Sequence, residues 1–572
     1  MKKNIQQILV ILLMHLLIIP CFSLKFSFMS LRYENVFYLD GILIHTLLYM
    51  CLVYTIMIFT KKVKISYAVV NFLEWLFGTI SLLKIATRGQ EFVPWDLALT
   101  GNTIELIGFA QITPELIISL ILRTFFIVTI TFIQIYLFEL FCEIPKKVGK
   151  YLVLGISIIS FVFFPAKYKI LRMKYIVPER KGFENYGTYK GMNYYGAFFN
   201  FILDIGTASI EENEDYSQEE IFNLSKEYEN YHIDGVEEYD NVIVVLMESF
   251  VDLEKILQED FKEDIIPNYH ENESKYVNDK MKVDVIGGGT ANVEYQVLTM
   301  HSLKKYPEGI FPYMHYIKEN VEALPQVFKK NGYSTTAIHT YKEGFYNRDN
   351  VFEFMGFDRY ISDDDFENPD YYGEYIDDLE IYNKIVEILE KEEKSFVHAI
   401  TMSAHSPYDL YSSSGDALKG ERYGEYAAAI NDYLYSLKRT DQMLGKLIEY
   451  VESTNEKTLL IVYGDHFPLL TLCLDDIGLI ENGETCISVE KYPELYEAPY
   501  MVISNVEKQK IESRGNINPN ELGMYILDNV KLENLPWIYK VYHNYFENKN
   551  EKENYDIIQY DELHGEKYWK GM

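Results

Sequence analysis

The 572-residue chain has only five cysteines and no CxxC pair. That excludes a disulfide-stapled scaffold and a thiolate zinc site. Basic residues are also in deficit: 53 Lys and Arg stand against 85 Asp and Glu, a formal net charge of −32. Binding a nucleic-acid phosphate backbone needs a basic face, so nucleic acid is excluded as a partner. No internal repeat and no long low-complexity tract is found, which excludes a repeat array.

What the chain does have is apolar length, concentrated in its N-terminal third. Runs long enough to cross a bilayer, about 20 helical residues, lie at 5–24, 41–59, 65–83 and 116–140, with a shorter fifth at 151–164. Five such runs separated by short charged loops read as a membrane domain rather than as buried core helices. Lys2 and Lys3, then Lys61, Lys62 and Lys64, then Lys146, Lys147 and Lys150 all fall on one side of a five-span chain. By the positive-inside rule that side is cytoplasmic and the C-terminal two-thirds lies outside the cell. The basic stretch "KYKILRMKY" after the fifth run departs from this rule. The first run lacks a small-x-small cleavage pattern near Leu24 and reads as an anchor. Glu74 and Arg123 are charges inside the runs; such groups snorkel to an interface, or else pair or line a lipid path.

Charge is unevenly divided: about +9 through Gly182 and about −41 beyond it. An outer domain this acidic needs a local cationic pocket if it handles an anion. Cys473 and Cys486 both lie in the outer part, and the sequence leaves their pairing open.

Beyond Asn241, short β-branched runs alternate with longer amphipathic stretches, the pattern of an α/β fold with a mainly parallel sheet. "NVIVVLMESF" predicts a strand ending at Glu248, and "KVDVIGGGT" a second ending at Thr290. "YSTTAIHTY" predicts one ending at His339, "SFVHAITMSAHSPY" one ending at His405, and "KTLLIVYGDHF" one ending at Asp465 and His466. Open α/β sheets bind ligands at the carboxyl ends of their strands, so these residues are expected to converge. Singly, each has an ordinary structural explanation; as a set they point to chemistry. Glu248, Asp465, His466 and the Thr290 hydroxyl form an oxygen-rich donor set suited to Mn²⁺, Mg²⁺ or Zn²⁺. A cation there would lower the hydroxyl's pKa and make Thr290 a nucleophile. The three glycines before it would let the backbone turn sharply and present the oxygen.

With these residues in place, the chain resembles the lipoteichoic acid synthase family, membrane-anchored phosphoglycerol transferases of the alkaline phosphatase and sulfatase superfamily. The motifs that carry the resemblance are "GGGTANVEYQVLT", "FYNRDNVFEFMGFD", "SAHSPYD" and "VYGDHF", in that order. The resemblance implies a five-helix N-terminal membrane domain (1–166), a connecting segment with surface helices (167–238) and an extracellular sulfatase-like α/β domain (239–572). It implies Glu248, Thr290, Asp465 and His466 as metal ligands, with manganese the usual ion, and Thr290 and His405 as catalytic residues. His339, Tyr346, Arg348 and His405 would contact glycerol phosphate. The donor would be phosphatidylglycerol and the acceptor a glycolipid anchor or a growing polyglycerolphosphate chain, at the outer face of a Gram-positive cell membrane. Arg348 would be the cation the acidic domain requires.

Two positions depart from the family pattern: its common Trp is Tyr346, and an acidic contact found in some members is Tyr341. Both bear on the acceptor rather than on the chemistry. A sulfate-ester hydrolase needs Cys or Ser in a C/S-x-P-x-R stretch; none occurs, and position 290 is Thr. A phosphoethanolamine transferase shares the five-span plan and a threonine, but its motif usually reads "ETAR". An inert scaffold keeping the fold is opposed by the intact donor set. Polymerase, single-unit primase and glycan-decorating transferase share these motifs.

Overall fold

In the computed structural model, residues 39–88, 92–97, 114–141, 151, 154–163, 197–205 and, apart from short gaps, 210–572 are described. The first apolar run, Cys473 and Cys486 lie outside the described residues.

The N-terminal part is helical: α1 (Leu39–Thr60), α2 (Val63–Arg88), α3 (Pro114–Phe141) and the short α4 (Ala197–Asp204). They share a small core that includes Tyr49, Val53, Met57, Tyr67, Ile130, Phe138 and Phe199. Among the described residues, Val63–Ser81 and Leu120–Leu140 are long and apolar enough to cross a membrane, while Ile44–Thr60 and Leu154–Phe163 are apolar but shorter. Much of this apolar surface faces outward; Phe125 and Phe132 are 71% and 70% exposed. Glu74 does not snorkel: it is fully buried 3.4 Å from Nε2 of His45. Arg123 is buried as well.

Among the described residues, the rest of the chain is built on nine strands: β1 (Asn241–Met247), β2 (Val277–Lys282), β3 (Ser334–His339), β4 (Arg359–Ile361), β5 (Tyr371–Tyr372), β6 (Tyr375–Ile376), β7 (Ser395–Ile400), β8 (Thr458–Gly464) and β9 (Glu497–Ser504). Seven form one sheet in the order β2-β9-β8-β1-β7-β3-β4, and β5 with β6 makes a separate hairpin. The pairs β8–β1, β1–β7, β7–β3 and β3–β4 are parallel, and β9 runs antiparallel to both of its neighbours.

The sheet is covered on both faces, which is why β1 and β8 read as unbroken apolar runs rather than alternating ones. In β1, Val242, Val244 and Leu246 enter one core while Ile243, Val245 and Met247 enter the other. The first core is closed by α5 (Thr290–Thr299), and further along the chain by α8 (Pro519–Asn529), α9 (Trp537–Asn548) and α10 (Lys552–Leu563). The second is closed by α6 (Asp378–Leu389) and α7 (Ala427–Ser453).

One predicted strand is displaced. The strand lies at 277–282, ahead of "KVDVIGGGT", and that run is a connector with a single bridge, Ile286 to Phe467. Gly287, Gly288 and Gly289 all have positive φ, at 67°, 149° and 94°, so the chain turns out of the extended conformation. Thr290 therefore opens α5 instead of closing a strand.

Packing behind α5 is tight. A Cβ on Gly523 of α8 would stand 2.2 Å from the Val297 carbonyl oxygen and 2.8 Å from Met300 Cγ. Gly523→Ala is expected to push α5 off the sheet and to destabilise the domain by about 1–3 kcal/mol, read as a lowered denaturation midpoint. An unchanged midpoint would mean that α5 has room to move.

Candidate active site

Four adjacent parallel strands, β8, β1, β7 and β3, bring their carboxyl ends to one place. They deliver Asp465 and His466, Glu248, the 401–405 loop with His405, and His339, in that spatial order. His405 comes from the loop, since β7 ends five residues earlier at Ile400.

Thr290 arrives from outside the sheet. Its Oγ1 donates to Oε2 of Glu248 at 3.0 Å and lies 3.4 Å from Nε2 of His466. The helix start is held by the glycine run, where Gly287 N–H donates to the Phe467 carbonyl at 2.8 Å. The same carbonyl faces Nδ1 of His466 at 3.0 Å. With Nδ1 turned there, Nε2 faces the carboxylates, 3.2 Å from Oδ2 of Asp465 and 3.7 Å from Oε1 of Glu248.

Glu248, Asp465 and His466 are all buried, and their ligand atoms lie within 4.8 Å of one another. Oδ2 of Asp465 is buried without a hydrogen-bond partner. Burial, together with the neighbouring Glu248 carboxylate, pushes the Asp465 carboxyl up to about 7. Two crowded carboxylates, an orphaned oxygen and an oriented imidazole nitrogen are the donor chemistry of a divalent cation site, so the residues fit such an ion.

The opposite wall of the cleft is formed by His339, Tyr341, Phe345, Tyr346, Arg348 and His405. His339 is buried, and its Nδ1 faces the Ile400 carbonyl at 3.4 Å. Burial, and then the Arg348 charge, hold it well below the usual histidine range, so the ring is neutral. Tyr346 and Asn347 both sit in the left-handed region, φ 59° and 63°, a strained turn of the sort kept at functional sites. The Tyr346 ring lies 5.4 Å from the Arg348 guanidinium carbon.

The structure brings every sequence-predicted site residue to this cleft or its floor, and it adds partners that sequence reading missed. Nε and Nη2 of Arg348 both donate to Oε2 of Glu294, at 3.1 and 2.9 Å, and both side chains are buried. Burial works against the Glu294 charge, but Arg348 and His398, whose Nε2 lies 3.5 Å from Oε1 of Glu294, together outweigh it and hold the carboxyl below its usual range. Glu294 stands four residues after Thr290, on the same face of α5, a spacing that could have signalled it. Ser249 donates its N–H to Oδ1 of Asp465 and its hydroxyl to Oε1 of Glu248, at 2.8 and 2.9 Å. Thr401 Oγ1 accepts the Glu248 N–H at 2.8 Å. Tyr375, carried by the β5–β6 hairpin, places its hydroxyl 3.3 Å from Nδ1 of His405 and donates to the Ser406 carbonyl at 2.7 Å. No sequence signal marked it.

A mainly parallel sheet whose carboxyl ends carry the cleft defines a sulfatase-like α/β domain. The chain belongs to the sulfatase family: the sequence model of that family matches residues 240–531, just over half of it. It is 27% identical over 313 residues to a putative cyclic beta-1,2-glucan modification protein of Rhizobium meliloti, covering 53% of this chain and 48% of that protein. It is 23% identical over 205 residues to lipoteichoic acid synthase 2 of Bacillus subtilis, covering 35% and 30%. The chain thus spans less than half the length of these curated relatives. A phosphoglycerol transferase of Streptococcus pyogenes, GacH, solved with sn-glycerol-1-phosphate, shares the fold with a TM-score of 0.52 at 21% identity, covering 64% of this chain and 98% of that one.

The Glu294–Arg348 pair yields a stability test. Glu294→Gln leaves a buried guanidinium without its counter-charge and should cost about 3–5 kcal/mol, measured by urea unfolding. A loss under about 1 kcal/mol would mean that water or substrate groups replace the carboxylate.

Proposed function

We propose that the chain transfers glycerol phosphate from phosphatidylglycerol to an acceptor hydroxyl, on a glycolipid anchor or a growing polyglycerolphosphate chain, as in lipoteichoic acid synthesis. The observation that carries this reading is the Thr290 hydroxyl, hydrogen-bonded to Glu248 and beside Nε2 of His466 at the mouth of the cleft. The proposed organisation is a five-span membrane domain (1–166), a connecting segment (167–238) and an extracellular catalytic domain (239–572). The outward-facing apolar surface of α3 supports the membrane assignment.

Glu248, Asp465 and His466, with Thr290, would hold a divalent cation, Mn²⁺ in this proposal. Bound there, the ion would favour the deprotonated hydroxyl and offset charge on the phosphoryl oxygens. Thr290 Oγ1, its proton taken up on the Glu248 side, attacks phosphorus. The bond from phosphorus to the diacylglycerol oxygen breaks, and His405 protonates that oxygen as it leaves. A glycerophospho-threonine remains. In the second step an acceptor hydroxyl gives its proton to His405 and attacks the same phosphorus, and Thr290 recovers its hydroxyl. Arg348 turns its remaining N–H donors to the phosphate, Tyr346 packs against it, and neutral His339 offers an acceptor nitrogen to a glycerol hydroxyl.

A second reading has its own support. The similarity to a cyclic glucan modification protein favours a glycan outside the lipoteichoic acid pathway as the acceptor of the same phosphoglycerol group. Products formed from labelled phosphatidylglycerol separate the two: a ladder of polyglycerolphosphate supports the first, a single addition to a glycan the second.

Thr290→Ala is expected to abolish diacylglycerol release while leaving the protein folded and in the membrane. Excess chelator should do the same, with Mn²⁺ restoring turnover. Activity within a few-fold of wild type in either test would sink the covalent, cation-dependent mechanism.

Arg348→Ala should lower kcat/KM on the order of 10 to 100-fold, the loss of one charge-assisted contact of about 1.5–3 kcal/mol. Arg348→Lys should recover only part, because an ammonium cannot reproduce the planar fork. Unchanged kcat/KM in Arg348→Ala would move the phosphate elsewhere in the cleft.

A further inference from the structure

Segment 92–97, between α2 and α3, packs on both parts of the molecule. On the helical side, Oδ1 and Oδ2 of Asp96 accept from Nζ of Lys84 on α2 at 2.8 and 2.7 Å. Phe92 stacks on Phe201 of α4 at 5.1 Å and meets Phe77 of α2 at 5.6 Å. On the catalytic side, Val93 and Trp95 are 3% and 6% exposed and belong to the core on the α5 face of the sheet. His315 Nε2 donates to the Trp95 carbonyl at 2.9 Å. A few residues before His315, Phe311 packs at 4.9 Å on Tyr346, which lines the cleft.

The chain also crosses between the two parts covalently. Asp204 ends α4 in the helical part, whereas Ile210 already packs on the catalytic core. One covalent crossing alone leaves a body free to pivot. A second, non-covalent attachment removes that freedom at no cost in chain length, since its effective concentration is set by the first. The second attachment here is made by an apolar side chain large enough to bury substantial area and by a largely buried ion pair that fixes the segment on α2.

We infer that segment 92–97 is a tether that locks the catalytic domain onto the helical domain through Trp95, holding the cleft at a fixed height and orientation so that a lipid head group in the bilayer reaches Thr290. The inference rests on the membrane and phosphatidylglycerol readings above for its functional half. The docking itself does not depend on them.

The test uses the full chain reconstituted in vesicles of phosphatidylglycerol and phosphatidylcholine, with glycerophosphoglycerol, the same head group without acyl chains, as a soluble probe. Trp95→Ala removes the catalytic-side contact. Asp96→Ala unties the segment from α2 without removing any side chain from the catalytic core, so it covers the case in which Trp95→Ala misfolds. Both should lower turnover of vesicle phosphatidylglycerol on the order of tenfold or more, leave turnover of the soluble probe within about twofold, and speed amide exchange at 311–316. Vesicle turnover within about twofold of wild type would overturn the tether. So would an equal fall on both probes, because Trp95 would then be supporting the cleft wall itself. If wild type turns over neither probe, the proposed function fails, and amide exchange alone decides: faster exchange in both variants upholds the docking, and unchanged exchange overturns it.

Discussion

Glu248 and Asp465 are forced together by strand register. Met247 of β1 pairs with Gly464 of β8, so the next residue on each strand is a carboxylate, and both emerge at the same buried edge. Like charges at this distance in a low-dielectric pocket repel strongly. Burial and the neighbouring carboxylate push Asp465 up to about 7. The surroundings are arranged to hold this charge rather than dissipate it. Ser249, in the left-handed region at φ 53°, turns both its N–H and its hydroxyl to the two acids. Gly464 lets the Phe250 carbonyl approach to 2.3 Å of where a Cβ would stand. A sheet edge that concentrates negative charge and then supplies oriented donors is stable when a cation completes it.

The Thr290 hydroxyl depends on that edge but is not part of the sheet. Thr290 is the first residue of a helix whose start is set by three positive-φ glycines, with Phe467 accepting from Gly287 and facing His466 through one carbonyl. One oxygen thus couples the entry of α5 to the orientation of the His466 ring. Farther along α5, Gly523 permits close approach of α8, and Glu294 ties the helix to Arg348. The Thr290 hydroxyl and the Arg348 guanidinium are therefore both fixed to one helix, which is how a site holds two groups in register without moving either.

Much of this was legible in the sequence for a simple reason. A strand in a doubly covered parallel sheet is a continuous apolar run, and a polar residue at its end stands out, which is how Glu248, His339, Asp465 and His466 were found. The connector at 282–290 misled because "KVDVI" has the same composition as a strand, and only its position past the sheet rim shows that it pairs once. Tyr375 and Thr401 were invisible because they act through hydrogen bonds to residues distant in sequence. Ser249 was hidden by its neighbour. Glu294 carried a helical spacing signal, but only for a reader who already knew that Thr290 opens a helix.

The buried ion pair also bears on how an acidic domain accepts an anion. Arg348 is the cation lining the cleft, and two of its nitrogens are committed to Glu294. Its charge is largely balanced before substrate arrives, so it contributes directional donors more than net attraction. Exposed acids farther than about 8 Å are screened at physiological salt, so they do little to repel a head group once it is seated. In the proposed reaction, the remaining attraction for a phosphate would come from the cation that Glu248, Asp465 and His466 would hold. Substrate affinity and cation occupancy would then be a single property of this site, because the crowded acids that raise Asp465 repel an anion unless an ion offsets them.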